Sequence, residues 1–230
     1  MAILLIETAT TVCSVALGAD GHIAAKRETD QPNAHSSKMN VFVGELFDET
    51  GLKPSDLTAV CVSGGPGSYT GLRIGVSGAK GLCYGLNIPL IAVPTLENMA
   101  AGYYQLHPDY GGLVCPMIDA RRMECYTAIY NSALSEEKTV AADIIEAGIY
   151  DRWLDSGSVV FVGDGAEKCR DVLGAHPNAR FDTAYRISAV HMLPIAEARL
   201  RDGKTEDVAY YEPFYLKDFV AKKSTVRGLR

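Results

Sequence analysis

Short apolar runs open the chain. Ile3 to Glu7 ends in an acidic residue, Cys13 to Leu17 follows, a turn falls at Gly18 to Gly21, and Ile23 to Glu28 is the third run. Three such runs in succession predict a β-meander. From Asn33 to Glu49 the interval changes. Met39, Phe42, Val43, Leu46 and Phe47 recur at helical spacing, and Gly51 stands where a helix ends in a left-handed glycine. Leu57 to Val62 then predicts a buried strand, Thr70 to Leu86 a helix, Ile88 to Val93 a strand closed by Pro94, and Thr95 to Tyr104 a further helix.

Between the strand and the helix lies Ser63 to Gly75, SGGPGSYTGLRIG. A glycine-rich turn there lets the backbone approach another group closely, either a phosphate or another protein element. Known phosphate motifs do not match. A P-loop needs Gly-Lys followed by Ser or Thr, whereas Gly71 precedes Leu72 and Arg73. The dinucleotide fingerprint fails because Gly71 falls one residue too late after Gly65 and Gly67. Gly64, Gly65, Pro66, Gly67, Ser68 and Gly71 are therefore assigned as a structural turn. The helix itself carries Gly71, Gly75, Gly78, Gly81 and Gly85. Five glycines cost a helix roughly 4 to 5 kcal/mol relative to alanine, so close packing should offset them. The neighbour is either the protein's own sheet or a second helix from outside.

Leu106 to Gly112, LHPDYGG, reads as a linker. Beyond it the opening recurs. A shift of 112 residues places Asp119 on Glu7, Cys125 on Cys13 and Ala128 on Ala16, and Val159 to Gly165 echoes Val60 to Gly65. The pattern predicts an internal duplication: residues 1–105 and 106–230 as two lobes on one plan, with the last helices free to return to the first lobe. Each lobe is α/β with a mixed sheet flanked by helices.

Composition narrows the function. With 47% hydrophobic and 22% charged residues the chain is an ordinary globular one, and no run is long enough to span a membrane. The N-terminus has no basic residue before its apolar run, so no signal peptide is expected. Six scattered cysteines include no C-x-x-C pair, which argues against zinc or dithiol chemistry and fits a cytoplasmic location. A net charge of −6 makes the body a poor match for nucleic acid. The exception is the tail, where Lys222, Lys223, Arg227 and Arg230 are either a solvated end or a basic arm for RNA. Ser68 suggests a hydrolase only weakly, because the G-x-S-x-G elbow is absent. Glu7 and Asp119 end matching strands. They either face each other across a nucleotide cleft or satisfy backbone amides.

Three segments, GGPGSYTGLRIG, IETATTVCSVAL and IDARRMECY, resemble the bacterial TsaB (YeaZ) family, with VGDGA and EPFYLKD in the same style. The resemblance implies a two-lobed actin-like ATPase (ASKHA, ribonuclease H-like) fold. It implies a non-catalytic partner of TsaD in forming threonylcarbamoyladenosine at position 37 of tRNAs reading codons that begin with A. A TsaE-like ATPase joins the complex, tRNA is reached only through it, and the free protein forms a homodimer. TsaD binds a metal through two histidines four residues apart, and the matching positions here are Thr95 and Met99. No catalytic residue, cofactor or metal ligand is therefore expected. The alternatives are a metal-independent hydrolase or peptidase, and a residual nucleotide-binding ATPase. In the family the two helices flanking the glycine turn carry the partner interface. Met39, Phe42, Val43, Leu46, Leu72, Val76 and Lys80 are the candidates for it, with the outward face of each helix left open.

Overall fold

The computed structural model describes residues 1–217; Lys222, Lys223, Arg227 and Arg230 lie outside them. Strands β1 (Ala2–Glu7), β2 (Cys13–Ala19), β3 (His22–Thr29), β4 (Leu57–Ser63) and β5 (Leu90–Val93) form one sheet in the order β3-β2-β1-β4-β5. Strands β6 (Leu113–Asp119), β7 (Glu124–Tyr130), β8 (Glu136–Ile144), β9 (Val159–Val162) and β10 (Ala179–Asp182) form a second, ordered β8-β7-β6-β9-β10. The two orders are the same. In each, the first three strands pair antiparallel and the first, fourth and fifth pair parallel. The register corrects the repeat by one residue. Glu7 pairs with Ser14 while Asp119 pairs with Cys125, so Cys125 corresponds to Ser14 rather than Cys13. The second hairpin turn is one residue shorter.

Helices are α1 (His35–Thr50), α2 (Tyr69–Leu86), α3 (Thr95–Leu106), α4 (Asp151–Leu154), α5 (Ala166–Leu173) and α6 (Leu193–Arg201), with 3-10 turns at Pro54–Asp56 and Ala189–Met192. Helix α1 starts after Asn33 because Asn33 has φ 60°, outside the right-handed helical region. It ends at Gly51, φ 70°, whose N–H donates to the Phe47 carbonyl at 2.9 Å. Strand β5 starts at Leu90, past Pro89, which has no N–H to give the ladder.

Every residue of β1 is buried, because both faces are covered. Leu4 and Ile6 share a core with Met39, Val43 and Leu46 of α1 and Val76 of α2. Ile3 and Leu5 point the other way, toward Ala189, Met192, Leu193 and Ala196. Burying each such side chain contributes about 2 kcal/mol. Helix α3 belongs to neither core. Its Leu96, Met99, Ala100 and Tyr103 pack on Val114, Ile118, Ala128 and Val160 of the second sheet. The lobes thus exchange elements: α3 covers the second sheet, and residues 189–201 cover the first. No helix among the described residues is long and apolar enough to cross a membrane.

Candidate functional site

The glycine-rich turn joins β4 to α2, and Ser68 starts the helix by accepting the Gly71 N–H on its hydroxyl at 3.2 Å. What the turn approaches is the chain's own backbone. A Cβ on Gly67 would strike the Ala9 carbonyl, one on Gly71 the Thr8 carbonyl, and one on Gly65 the Phe214 carbonyl. Gly65 also sits at φ 108°, where a side chain is strained. Hydrogen bonds lock these approaches. Ser68 N–H donates to the Ala9 carbonyl at 2.6 Å, and the Thr8 hydroxyl donates to the Gly71 carbonyl at 2.8 Å. The turn serves a protein element, and that element is internal.

Residues 206–217 cross over the turn as a strap. Glu206 N–H donates to the Leu90 carbonyl and Phe214 N–H to the Gly64 carbonyl, each at 2.8 Å. Lys80 of α2 donates to the carbonyls of Ala209 at 3.2 Å and Tyr211 at 2.8 Å. The rings of Tyr69 and Tyr215 lie 4.9 Å apart. A cavity of about 460 Å³ remains beside the turn, walled by Tyr211 and Phe214 and by Glu136 and Val140 from the second lobe. Its lining offers one cation, Arg199, already committed to Glu97 and the Ala92 carbonyl, and two carboxylates, Glu136 and Glu206. A polyphosphate would meet like charge there.

Glu7 stands where an actin-like enzyme keeps its first-strand acid. Here it is fully enclosed. It accepts the Ala9 N–H at 2.7 Å and the Asn98 amide at 2.9 Å, and burial pushes its pKa up to about 7. Asn98 also donates to the Ser188 carbonyl at 3.2 Å. Asp119, the matching acid of the second lobe, accepts the Arg121 N–H at 2.7 Å and pairs with Lys168. Each carboxylate thus satisfies a backbone amide just past its strand.

The residues do not fit the metal that the catalytic paralogue holds. The Thr95 hydroxyl bonds Ser63 at 2.8 Å and accepts the Gly65 N–H at 3.1 Å, tying α3 to the glycine turn. Met99 is buried, with its methyl against Gly163. Both positions are engaged in packing, and neither side chain is a competent ligand.

The faces of α1 and α2 differ from the residues favoured on spacing. Met39, Val43, Leu46, Leu72 and Val76 are buried in this chain's own core, Phe42 is half-buried, and Lys80 is half-buried under the strap. The periodicity had marked the inward face. Outward stand Val41, half exposed, and Tyr84, 84% exposed. The glycines divide the same way. A Cβ on Gly75 would meet the Thr8 hydroxyl and one on Gly78 the Met39 methyl, whereas one on Gly44, Gly81 or Gly85 would meet nothing among the described residues. Among the described residues nothing requires those last three to be glycine. Sequence spacing could not separate Gly81 and Gly85 from Gly71 and Gly75, because all four lie on one helix at three- or four-residue intervals.

Comparison with known proteins agrees with this construction. A family model described as TsaD, tRNA N6-adenosine threonylcarbamoyltransferase, matches residues 30–225. The chain is 37% identical over 97% of its length, and 97% of the relative's, to the tRNA threonylcarbamoyladenosine biosynthesis protein TsaB of Escherichia coli K12. It is 38% identical to the TsaB of Bacillus subtilis 168 over 56% of this chain and 55% of that protein. The solved YeaZ of Pseudomonas aeruginosa superposes with a TM-score of 0.81 at 26% identity, covering 94% of this chain and 99% of that one. The duplicated mixed sheets are those of the actin-like (ASKHA) fold, and with the acid sealed and the glycine turn closed on its own backbone, the chain belongs to the TsaB (YeaZ) family.

Proposed function

We propose that the chain is a non-catalytic scaffold subunit. It pairs with a catalytic paralogue of the TsaD type in forming the threonylcarbamoyl group on adenosine 37 of tRNAs that read codons beginning with A. A TsaE-like ATPase joins this assembly in the cytoplasm, and tRNA is reached through it. The observation that carries the reading is the disposition of the glycine turn. Its glycines meet Ala9, Thr8 and Phe214, so the close approach they allow is spent on this chain's own backbone and not on a substrate phosphate. The enclosed Glu7 and the engaged Thr95 and Met99 support the same conclusion. Residues 1–105 and 106–230 are the two lobes of the scaffold.

The pairing surface is the outward side of α1 and α2: Val41 and Gly44 on one helix, Gly81, Tyr84 and Gly85 on the other. Phe42 and Lys80 lie at its margin. Exposed glycines beside an exposed tyrosine let another helix come close and bury the ring, and tyrosine is a frequent anchor of such contacts. Alone, the protein pairs with itself through the same surface, so homodimer and heterodimer exclude each other. The test is co-expression with the host's TsaD. Co-elution as one complex is expected, with threonylcarbamoyl transfer by the complex and none by the isolated chain. Robust transfer or peptide hydrolysis by the isolated chain, abolished by a chelator, would overturn the reading.

A further inference from the structure

The turn between β6 and β7 carries Arg121 at φ 75° and Arg122 at φ 54°. Ala120 N–H donates to the Glu124 carbonyl at 3.0 Å and Glu124 N–H to the Arg121 carbonyl at 3.2 Å, so residues 121–123 form the loop of the hairpin; two consecutive left-handed residues with bulky side chains are disfavoured there. Both arginines are exposed. Neither makes a side-chain hydrogen bond or ion pair among the described residues. Their neighbours are already matched. Asp119 holds Lys168 at 2.5 Å, Glu124 holds Lys217, Lys168 also donates to the Glu124 carbonyl at 2.7 Å, and Asp164 accepts the Asp119 N–H at 3.0 Å. Four cations therefore meet three carboxylates, and the two unpaired groups are guanidiniums. Lys217, the last described residue, lies against this hairpin through Glu124.

We propose that Arg121 and Arg122, flanked by Lys168 and Lys217, contact the phosphodiester backbone of RNA on the second lobe. This rests on the subunit reading above and extends it: the tRNA bound by the complex touches this chain as well as the catalytic one. Guanidinium groups bind phosphate oxygens bidentately, which suits them to a polyanion better than lysines. On a chain of net charge −6 a local positive hairpin also orients the RNA, because the rest of the surface repels it. Met123 and Ile144, exposed close by, would suit a protein partner instead, and the test separates the two.

The experiment is tRNA filter binding by the purified complex of this chain with its TsaD-type partner, over about 50 to 300 mM KCl. The variant R121N/R122G puts at the two left-handed positions the residues that tolerate that conformation best, so it removes charge without straining the hairpin. Its slope of log affinity against log salt should fall by about 2, with at least about tenfold weaker binding at 100 mM. Its melting temperature should hold or rise. R121K/R122K should keep most of the slope. An unchanged slope in R121N/R122G overturns the proposal, as does a slope that only deletion of 218–230 lowers. Loss of co-elution in R121N/R122G would make the hairpin a protein contact and also overturn it. If the wild-type chain fails to co-elute, the subunit reading has failed; the same titration on the isolated chain then decides the hairpin by the same slope.

Discussion

Replacing Glu7 by Gln should change how stability depends on pH. Glu7 is fully enclosed, and its pKa is raised from an ordinary 4.5 to about 7, chiefly by burial. The native state therefore holds a proton that the unfolded chain has already released in that window. Stability from this group is complete below about pH 4.5 and is lost as pH rises through about 7. The whole loss is about 3 kcal/mol, of which about 2.5 falls between pH 5 and 8.5. Gln is neutral throughout. Its amide meets the Asn98 amide that now donates to Glu7, so the variant forfeits about 1 kcal/mol of hydrogen bonding at every pH. The readout is therefore the difference between the two proteins as pH changes. Urea unfolding at several pH values should show the two proteins about level near pH 5 and the variant ahead by about 2 kcal/mol near pH 8.5. A difference that stays constant within about 0.5 kcal/mol would refute the claim that Glu7 takes up a proton on folding.

Two further outcomes follow from the helix faces. Gly71→Ala should destabilise by about 3 kcal/mol, because the added methyl meets the Thr8 carbonyl, while Gly85→Ala meets nothing among the described residues and should stabilise by about 1 kcal/mol in thermal melts. Leu46→Asp and Val76→Asp should unfold the first lobe by circular dichroism, since both sites are buried, whereas Tyr84→Asp should stay folded and lose TsaD on gel filtration. A folded Val76→Asp that loses the partner would reverse the assignment of the faces.

The first lobe was legible because its signals are local. Apolar runs of strand length, the spacing of Met39, Val43 and Leu46, and Gly51 at a helix end each identify an element without tertiary knowledge. The second lobe was legible mainly through its likeness to the first. Strand β8, EEKTVAADI, lacks an apolar alternation and becomes a strand by pairing with β7 at the sheet edge. Helix α5 has only eight residues, too few for a clear period. At the site, periodicity identified an apolar face but not what covers it. The protein's own core covers it, so the outward surface had to be found from glycines that meet nothing. Lys80 was legible as a cation on α2, but its strap carbonyls are far along the chain, at Ala209 and Tyr211. No local pattern announces such a contact.

The exchange of helices between the lobes has a kinetic consequence. The face of the first sheet that holds Ile3 and Leu5 is closed by Ala189, Met192, Leu193 and Ala196. During synthesis that face emerges early and stays bare until most of the polypeptide has been made. Contacts of such large sequence separation form late and slow the overall reaction. The nascent first lobe is then a half-covered intermediate with an apolar face open to chaperones or to self-association. A fragment ending at Arg186 should bind a hydrophobic dye that the full chain excludes; a compact, dye-free fragment would argue that the first lobe matures by itself. Within the intact protein the two sheets should melt in one transition, because neither has a finished core without residues contributed by the other half.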